Sequence, residues 1–386
     1  MNENFISTIF GEELSKAASI VACTLMLFIS FFTAKNKKIT IDKFILLTLI
    51  LAIEHLCITF LLKDPQTNIT NANNLITPYS LIAYSFLLLM IKNISRDKEN
   101  FALFFKTAAI VTSCTVIMNL LFTKDFQLAN NLITFTEALN TGYNSSRTWL
   151  FGHRNMIFIQ HILWILCTYL YFYIKQKKYT RTFIIQIIFT LLVSIISWNS
   201  TMMVVTIIIA AFYLFKNMPI VRKIAKIKTY IIAFLTLEIG IVFMRIQDIF
   251  SDLIVSILHR NLSFTGRTAI WDYYIEQFNT SPIQNKLFGN FGKTELSVNS
   301  HNMILGTLSF SGIFGLVIYS CLAILGIKNL SKNNSECSKF LSIIIFALLI
   351  NSLMMEFYIQ LIFVFYLGYK VNDINNLLSG GNTSEK

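Results

Sequence analysis

Three arginines and one histidine, lying between apolar runs or at their edges, carry the chemistry this sequence has to offer. Gly152-His153-Arg154-Asn155 stands just ahead of the run 156–174. Gly266-Arg267 opens a segment that continues through Trp271 and Tyr274. Ser300-His301-Asn302 leads into the run 302–327, and His259-Arg260-Asn261 lies just ahead of Gly266-Arg267. A guanidinium is a planar, permanently charged fork that holds phosphate through two parallel hydrogen bonds. A neutral imidazole can take a proton from a hydroxyl near pH 7. The set therefore suits an anionic, phosphate-bearing substrate and a hydroxyl that must lose its proton.

Each member also has a plainer reading. Trp149-Leu150-Phe151-Gly152-His153-Arg154-Asn155 falls where a helix begins, and a helix N-terminus favours anions. The same residues suit an interfacial anchor, with Trp149 at headgroup level and Arg154 reaching lipid phosphate. Ile270, Trp271, Tyr274, Ile275 and Phe278 recur at helical spacing before Pro282, so the segment reads as an amphipathic helix on the membrane or over a cavity. Arg267 precedes Trp271 by four residues and shares its stripe, which calls for an anionic partner. It equally suits an interfacial helix touching headgroups. Asn299 or Ser300 is the expected N-cap of the run that follows, which puts His301 in the first turn, where the helix dipole favours the neutral ring. A histidine there can also be a cap and nothing more. Arg245, closing the run 229–244, reads as an interface anchor. Glu54, His55 and Glu238 are ionisable groups inside apolar runs; such groups are functional by default, but no role follows for them from sequence.

The elements that position these residues follow from composition. The chain is 55% hydrophobic and 13% charged, where soluble domains carry roughly 25% charged residues. With a mean hydropathy of +0.61 this predicts an all-α polytopic membrane protein. A span needs about 20 mostly apolar residues. Candidates are 17–34, 44–62, 74–91, 102–122, 156–174, 182–198, 202–215, 229–244, 302–327 and 340–355, with a short run at 357–369. The last two read as separate helices hinged at Glu356, giving about eleven spans. The first ends in Lys35-Asn36-Lys37-Lys38, which marks a retained span and not a cleaved signal. Residues 1–386 read as one membrane domain with two long outer loops, 123–154 and 245–301.

Orientation comes from the basic residues. Loops 35–43, 92–106, 175–181, 216–228, 328–339 and 370–386 hold 22 of the 32 Lys and Arg, so they belong to the cytoplasm. This sorting accounts for the net charge of +12 without nucleic acid. Cys23, Cys57, Cys114, Cys167, Cys321 and Cys337 are scattered, with no CxxC spacing, and read as small core hydrophobes. There is no phosphate-binding GxxxxGK[ST] loop, no HExxH and no GxSxG. The acids of the large loop (Asp248, Asp252, Asp272, Glu276 and Glu295) are dispersed, so neither metal nor cofactor is expected.

Taken in order, Gly152-His153-Arg154-Asn155, Gly266-Arg267, Trp271, Gly289-Asn290-Phe291-Gly292, His301-Asn302, Leu305 and Gly312-Ile313-Phe314-Gly315 resemble the O-antigen polymerase and O-antigen ligase superfamily (Wzy-type polymerases and their ligase cousins). The motifs cover 149–155 and 260–315, and the topology extends the likeness over most of the chain. The resemblance implies a GT-C-like membrane glycosyltransferase without a metal. It implies transfer of glycan from an undecaprenyl-diphosphate carrier on the outer face of the bacterial plasma membrane, building O-antigen, capsule or exopolysaccharide. It assigns the diphosphate to Arg154 and Arg267, with Arg260 adding a contact, and the base to His301. Asn302, Trp271 and His153 support them. The partners implied are lipid-linked donor and acceptor, membrane lipid, a chain-length regulator and a flippase. Many members carry an arginine after the serine that opens an earlier helix, where this chain has Asn199-Ser200-Thr201-Met202. The ligase reaction, transferring finished glycan to a surface acceptor, is the alternative within the class. A transporter of lipid-linked glycan is the alternative outside it, but that would show ionisable groups along many spans and an internal repeat, and neither is evident.

The charge sorting makes a direct prediction. In a cysteine-free background, a thiol placed at Asn285 should react with an impermeant reagent added outside intact cells, and one at Lys178 should not. The reverse pattern contradicts the orientation.

Overall fold

The computed structural model describes residues 40–61, 72–122, 148–149, 152–153, 157–197, 199–246, 267–289, 300–353 and 358–378, together with five isolated positions between 21 and 29. These residues are helical apart from turns, connecting residues and one two-residue antiparallel pair. The order is α1 (Lys43–Leu61), α2 (Ala72–Ile94), α3 (Lys98–Leu121), β1 (Thr148–Trp149), β2 (Gly152–His153), α4 (Ile157–Ile174), α5 (Thr180–Ile196), α6 (Ser200–Leu214), α7 (Pro219–Ile224) and α8 (Ile227–Leu237). A π-helical turn, Glu238–Phe243, extends α8. Then come α9 (Arg267–Thr280), α10 (Ile283–Phe288), α11 (Met303–Lys332), α12 (Glu336–Ser352), α13 (Tyr358–Tyr369) and α14 (Val371–Asn376).

Each apolar run from 44–62 onward coincides with one of these helices. Run 17–34 lies outside the described residues apart from isolated helical positions, and so does Glu356. Among the described residues, three helices, α3, α4 and α11, are long and apolar enough to cross a membrane, and α5, α6 and parts of α2 and α13 form shorter apolar helices. The side chains are distributed to match. Leu103, Ile110 and Val111 of α3 and Ile185 and Leu192 of α5 are more than half exposed, while Thr48, Glu54, His55, His161, Gln186 and Thr190 are buried. Apolar surface outside with polar groups inside is compatible with a helical membrane protein.

The helix starts follow local rules. Asp97 caps α3, Asn199 caps α6 and Ser335 caps α12, each accepting a backbone N–H one turn ahead. Helix α12 runs through the middle, buried along almost its whole length, with α4, α6, α8 and α13 against it. Aromatic stacking joins α12 to its neighbours: Tyr169 lies on Phe340 and Tyr230 on Phe346, with ring centroids 3.6 and 4.6 Å apart.

Helix α11 is two helices joined at Gly312, whose φ of 62° and ψ of −161° interrupt the spiral. Gly289, with φ 75°, ends α10 against this break. A Cβ on Gly289 would lie 2.3 Å from the Phe310 carbonyl oxygen, and one on Gly312 would lie 2.4 Å from the Leu287 carbonyl carbon. The two backbones therefore touch with no room for a side chain, at positions whose φ already favours glycine. This contact seats α10 on the bend of α11.

Replacing Gly312 with alanine should cost more than about 2 kcal/mol, since it combines left-handed strain with a backbone clash. The check is thermal unfolding in detergent beside Gly240→Ala, whose new methyl meets only the Ile246 side chain, at 3.0 Å. An unchanged midpoint for Gly312→Ala contradicts the interlock.

Candidate functional site

The site is built at the N-terminal end of α11. Asn302 is its N-cap, with φ −148° and ψ 136°, and its side-chain oxygen accepts from the Leu305 N–H at 3.0 Å. The expected cap was Asn299 or Ser300. Asn302 takes the role because its extended backbone lets the side chain reach back to the third helical amide. His301 therefore precedes the helix instead of lying in its first turn. Its φ is 51°, a left-handed conformation uncommon outside glycine. Ser300 brackets it: the Ser300 hydroxyl donates to the Asn302 carbonyl at 2.9 Å and accepts from the Asn302 N–H at 3.3 Å. Ser300 and Asn302 are fully buried, while His301 is half-buried at the edge of this layer.

The amide of Asn302 faces the opposite way from its capping oxygen. It donates to Glu238 Oε1 at 2.9 Å and lies 3.5 Å from the Leu353 carbonyl. Glu238 opens the π turn that extends α8, so one side chain links α8, α11 and the end of α12.

Helix α9 docks beside this junction. Trp271 and Tyr274 are buried against Val242 of the π turn and Leu305 of α11. Arg245, with φ 55°, follows the π turn. Its Nη2 donates to the Thr268 carbonyl at 2.5 Å and pairs with the Asp272 carboxylate, and the guanidinium lies 5.6 Å from the centre of the Trp271 ring. Arg245 therefore clamps the first turn of α9 through Thr268, Asp272 and the Trp271 face. Arg267 is the first residue of α9 and half-buried, one turn before Trp271. Trp271 and Leu305 share a cluster; Arg267 stands about 6 Å of helix before Trp271, and His301 lies four residues ahead of Leu305, just outside the helix.

Of the other residues singled out, Arg154 and Arg260 lie outside the described residues. His153 is placed only through its backbone, paired in β2 with Thr148 of β1 just ahead of α4. Asn199, the first residue of Asn199-Ser200-Thr201-Met202, caps α6 through a 3.0 Å bond to the Met202 N–H. The buried pair Glu54 and His55 turns toward the break in α11. His55 Nδ1 is 2.8 Å from Glu54 Oε2, and His55 Nε2 is 3.0 Å from the Ser311 hydroxyl. Sequence reasoning missed His161, which bonds the Thr190 hydroxyl at 2.9 Å between α4 and α5. It is a lone histidine in an apolar run, and that was the only available signal. The pairings Arg245–Asp272 and Glu238–Asn302 cross long stretches of chain and leave no pattern in sequence.

Comparison with protein-family models, curated proteins and solved structures finds no match to this chain.

The docking of α9 rests on Trp271, whose truncation should cost about 3–5 kcal/mol of local packing. Trp271→Ala should raise hydrogen exchange across 267–280 and leave 157–174 unchanged. Equal protection of 267–280 in both proteins contradicts the docking.

Proposed function

We propose that this chain is a metal-independent glycosyltransferase that polymerises undecaprenyl-diphosphate-linked oligosaccharide units into surface polysaccharide. In this reading about eleven spans form a GT-C-like membrane domain in the bacterial plasma membrane, with the active site on the extracytoplasmic face. The observation that carries it is the junction itself. The helix headed by Arg267 is docked on the first turn of the helix headed by Ser300-His301-Asn302, beside the clamp of Arg245. A cationic side chain and a half-buried imidazole are thereby held at one end of a largely apolar helical body.

The chemistry follows from the substrate class. Nucleotide sugars are cytoplasmic, so transfer on the outer face draws on a lipid-linked donor. His301 takes the proton of the acceptor hydroxyl. The freed oxygen attacks the anomeric carbon of the donor sugar, and the bond from that carbon to the diphosphate breaks. The negative charge arriving on the diphosphate is met by Arg267, with Arg154 and Arg260 assigned to the same anion. Holding both lipid-linked partners in one site supplies the orientation that a two-substrate reaction otherwise lacks. A flippase supplying the donor and a chain-length regulator are the partners such a reaction calls for.

The test is reconstitution in liposomes with purified lipid-linked repeat units. A ladder of lengthened lipid-linked glycans is expected, unchanged by chelators. His301→Ala should lower the rate by about 10²–10⁴, and Arg267→Lys should restore little because an ammonium lacks the planar fork. A near-normal ladder from His301→Ala contradicts the reading, and a single transfer to a non-carrier acceptor marks the ligase reaction instead.

A further inference from the structure

Glu238 is a carboxylate buried to 1% exposure near the end of an apolar helix, and the mechanism above gives it no task. Its neighbours define one. Asn302 has two side-chain functions, and both are committed. Its oxygen caps α11 through Leu305, so its amide must face Glu238, where Oε1 accepts at 2.9 Å. Asn302 in turn fixes one side of His301, while Ser300 fixes the other through its bonds to the Asn302 backbone. Between them His301 is kept at a φ of 51°, which a histidine leaves unless its surroundings hold it there. The π turn that Glu238 opens is a widened turn of the kind that often marks functional sites.

We infer that Glu238 is a positioning residue for His301, acting through Asn302; this rests on the reading of His301 as the base. The carboxylate acts as a fixed hydrogen-bond acceptor. It sets the orientation of the Asn302 side chain, and through the cap it sets the left-handed turn that presents the imidazole. An acidic group at this place is also favoured by the N-terminal end of the α11 dipole. Displacing a catalytic group by about 1 Å costs on the order of 10²-fold in rate, so loss of the bond should appear in kcat with KM little changed.

The test exchanges donor and acceptor. Asn302→Asp keeps the capping oxygen but sets a second acceptor against Glu238, and kcat should fall about 10- to 100-fold. Adding Glu238→Gln supplies an amide that donates to the new carboxylate, and the double variant should recover to within about 3-fold of the parent. Glu238→Gln alone keeps an acceptor oxygen for Asn302 and should stay near parental activity. A second readout needs no turnover: acylation of His301 by diethylpyrocarbonate, followed by mass spectrometry. Its rate should change in Asn302→Asp and return in the double variant. A double variant as impaired as Asn302→Asp in both readouts overturns the inference, as does parental behaviour of Asn302→Asp. If His301→Ala polymerises normally while the acylation rates follow the swap, the base assignment fails and the positioning link stands.

Discussion

A polar group in an apolar interior has only the protein to bond to, and this constraint shapes how the described helices join. Several buried serines and threonines bond back to their own helix, but a smaller set of buried polar side chains ties one helix to another. His161 joins α4 to Thr190 of α5, Gln186 of α5 reaches Tyr179 and Thr168, and His55 joins α1 to Ser311 of α11. The most connected of these bonds is that between Glu238 and Asn302, because Asn302 is also a helix cap. One asparagine thereby joins α8, α11 and the end of α12. Removing either partner would leave a buried group unsatisfied, which costs more than the bond itself contributes.

Around that bond the irregular features of the fold become mutually consistent. The π turn after α8 brings Val242 under Trp271 and delivers Arg245 to the first turn of α9. The break at Gly312 lets α10 lie across α11, so the segment that follows α9 returns to the same helix. Two departures from regular geometry, at Arg245 and His301, adjoin this junction, and the break at Gly312 lies further along α11. Strain held at such a place is characteristic of sites where the backbone must present a side chain in one orientation.

Much of this was legible in the residues. Apolar runs announce helices because their length and hydropathy need no partner to be read, and the runs from 44–62 onward each correspond to one. The stripe containing Trp271 and Tyr274 was legible for the same reason, being a matter of spacing along one helix. The cap was misplaced because Asn299, Ser300 and Asn302 all carry capping side chains within four residues, and only backbone geometry chooses among them. The contacts of Arg245 were not legible because its partners, Thr268 and Asp272, are distant in sequence. Glu238 was visible as an acid in an apolar run, yet its meaning depended on an asparagine 64 residues away.

The central claim is that the heads of α9 and α11 face one site for a lipid diphosphate. The most direct measurement is photocrosslinking with an undecaprenyl diphosphate bearing a small photoreactive group beside the diphosphate, followed by peptide mapping. The account predicts label in the peptides spanning Arg267–Tyr274 and Ser300–Ser309, displaced by excess unmodified undecaprenyl diphosphate and not by the monophosphate. Label confined to other helices, or label at these peptides that the diphosphate cannot displace, would contradict it.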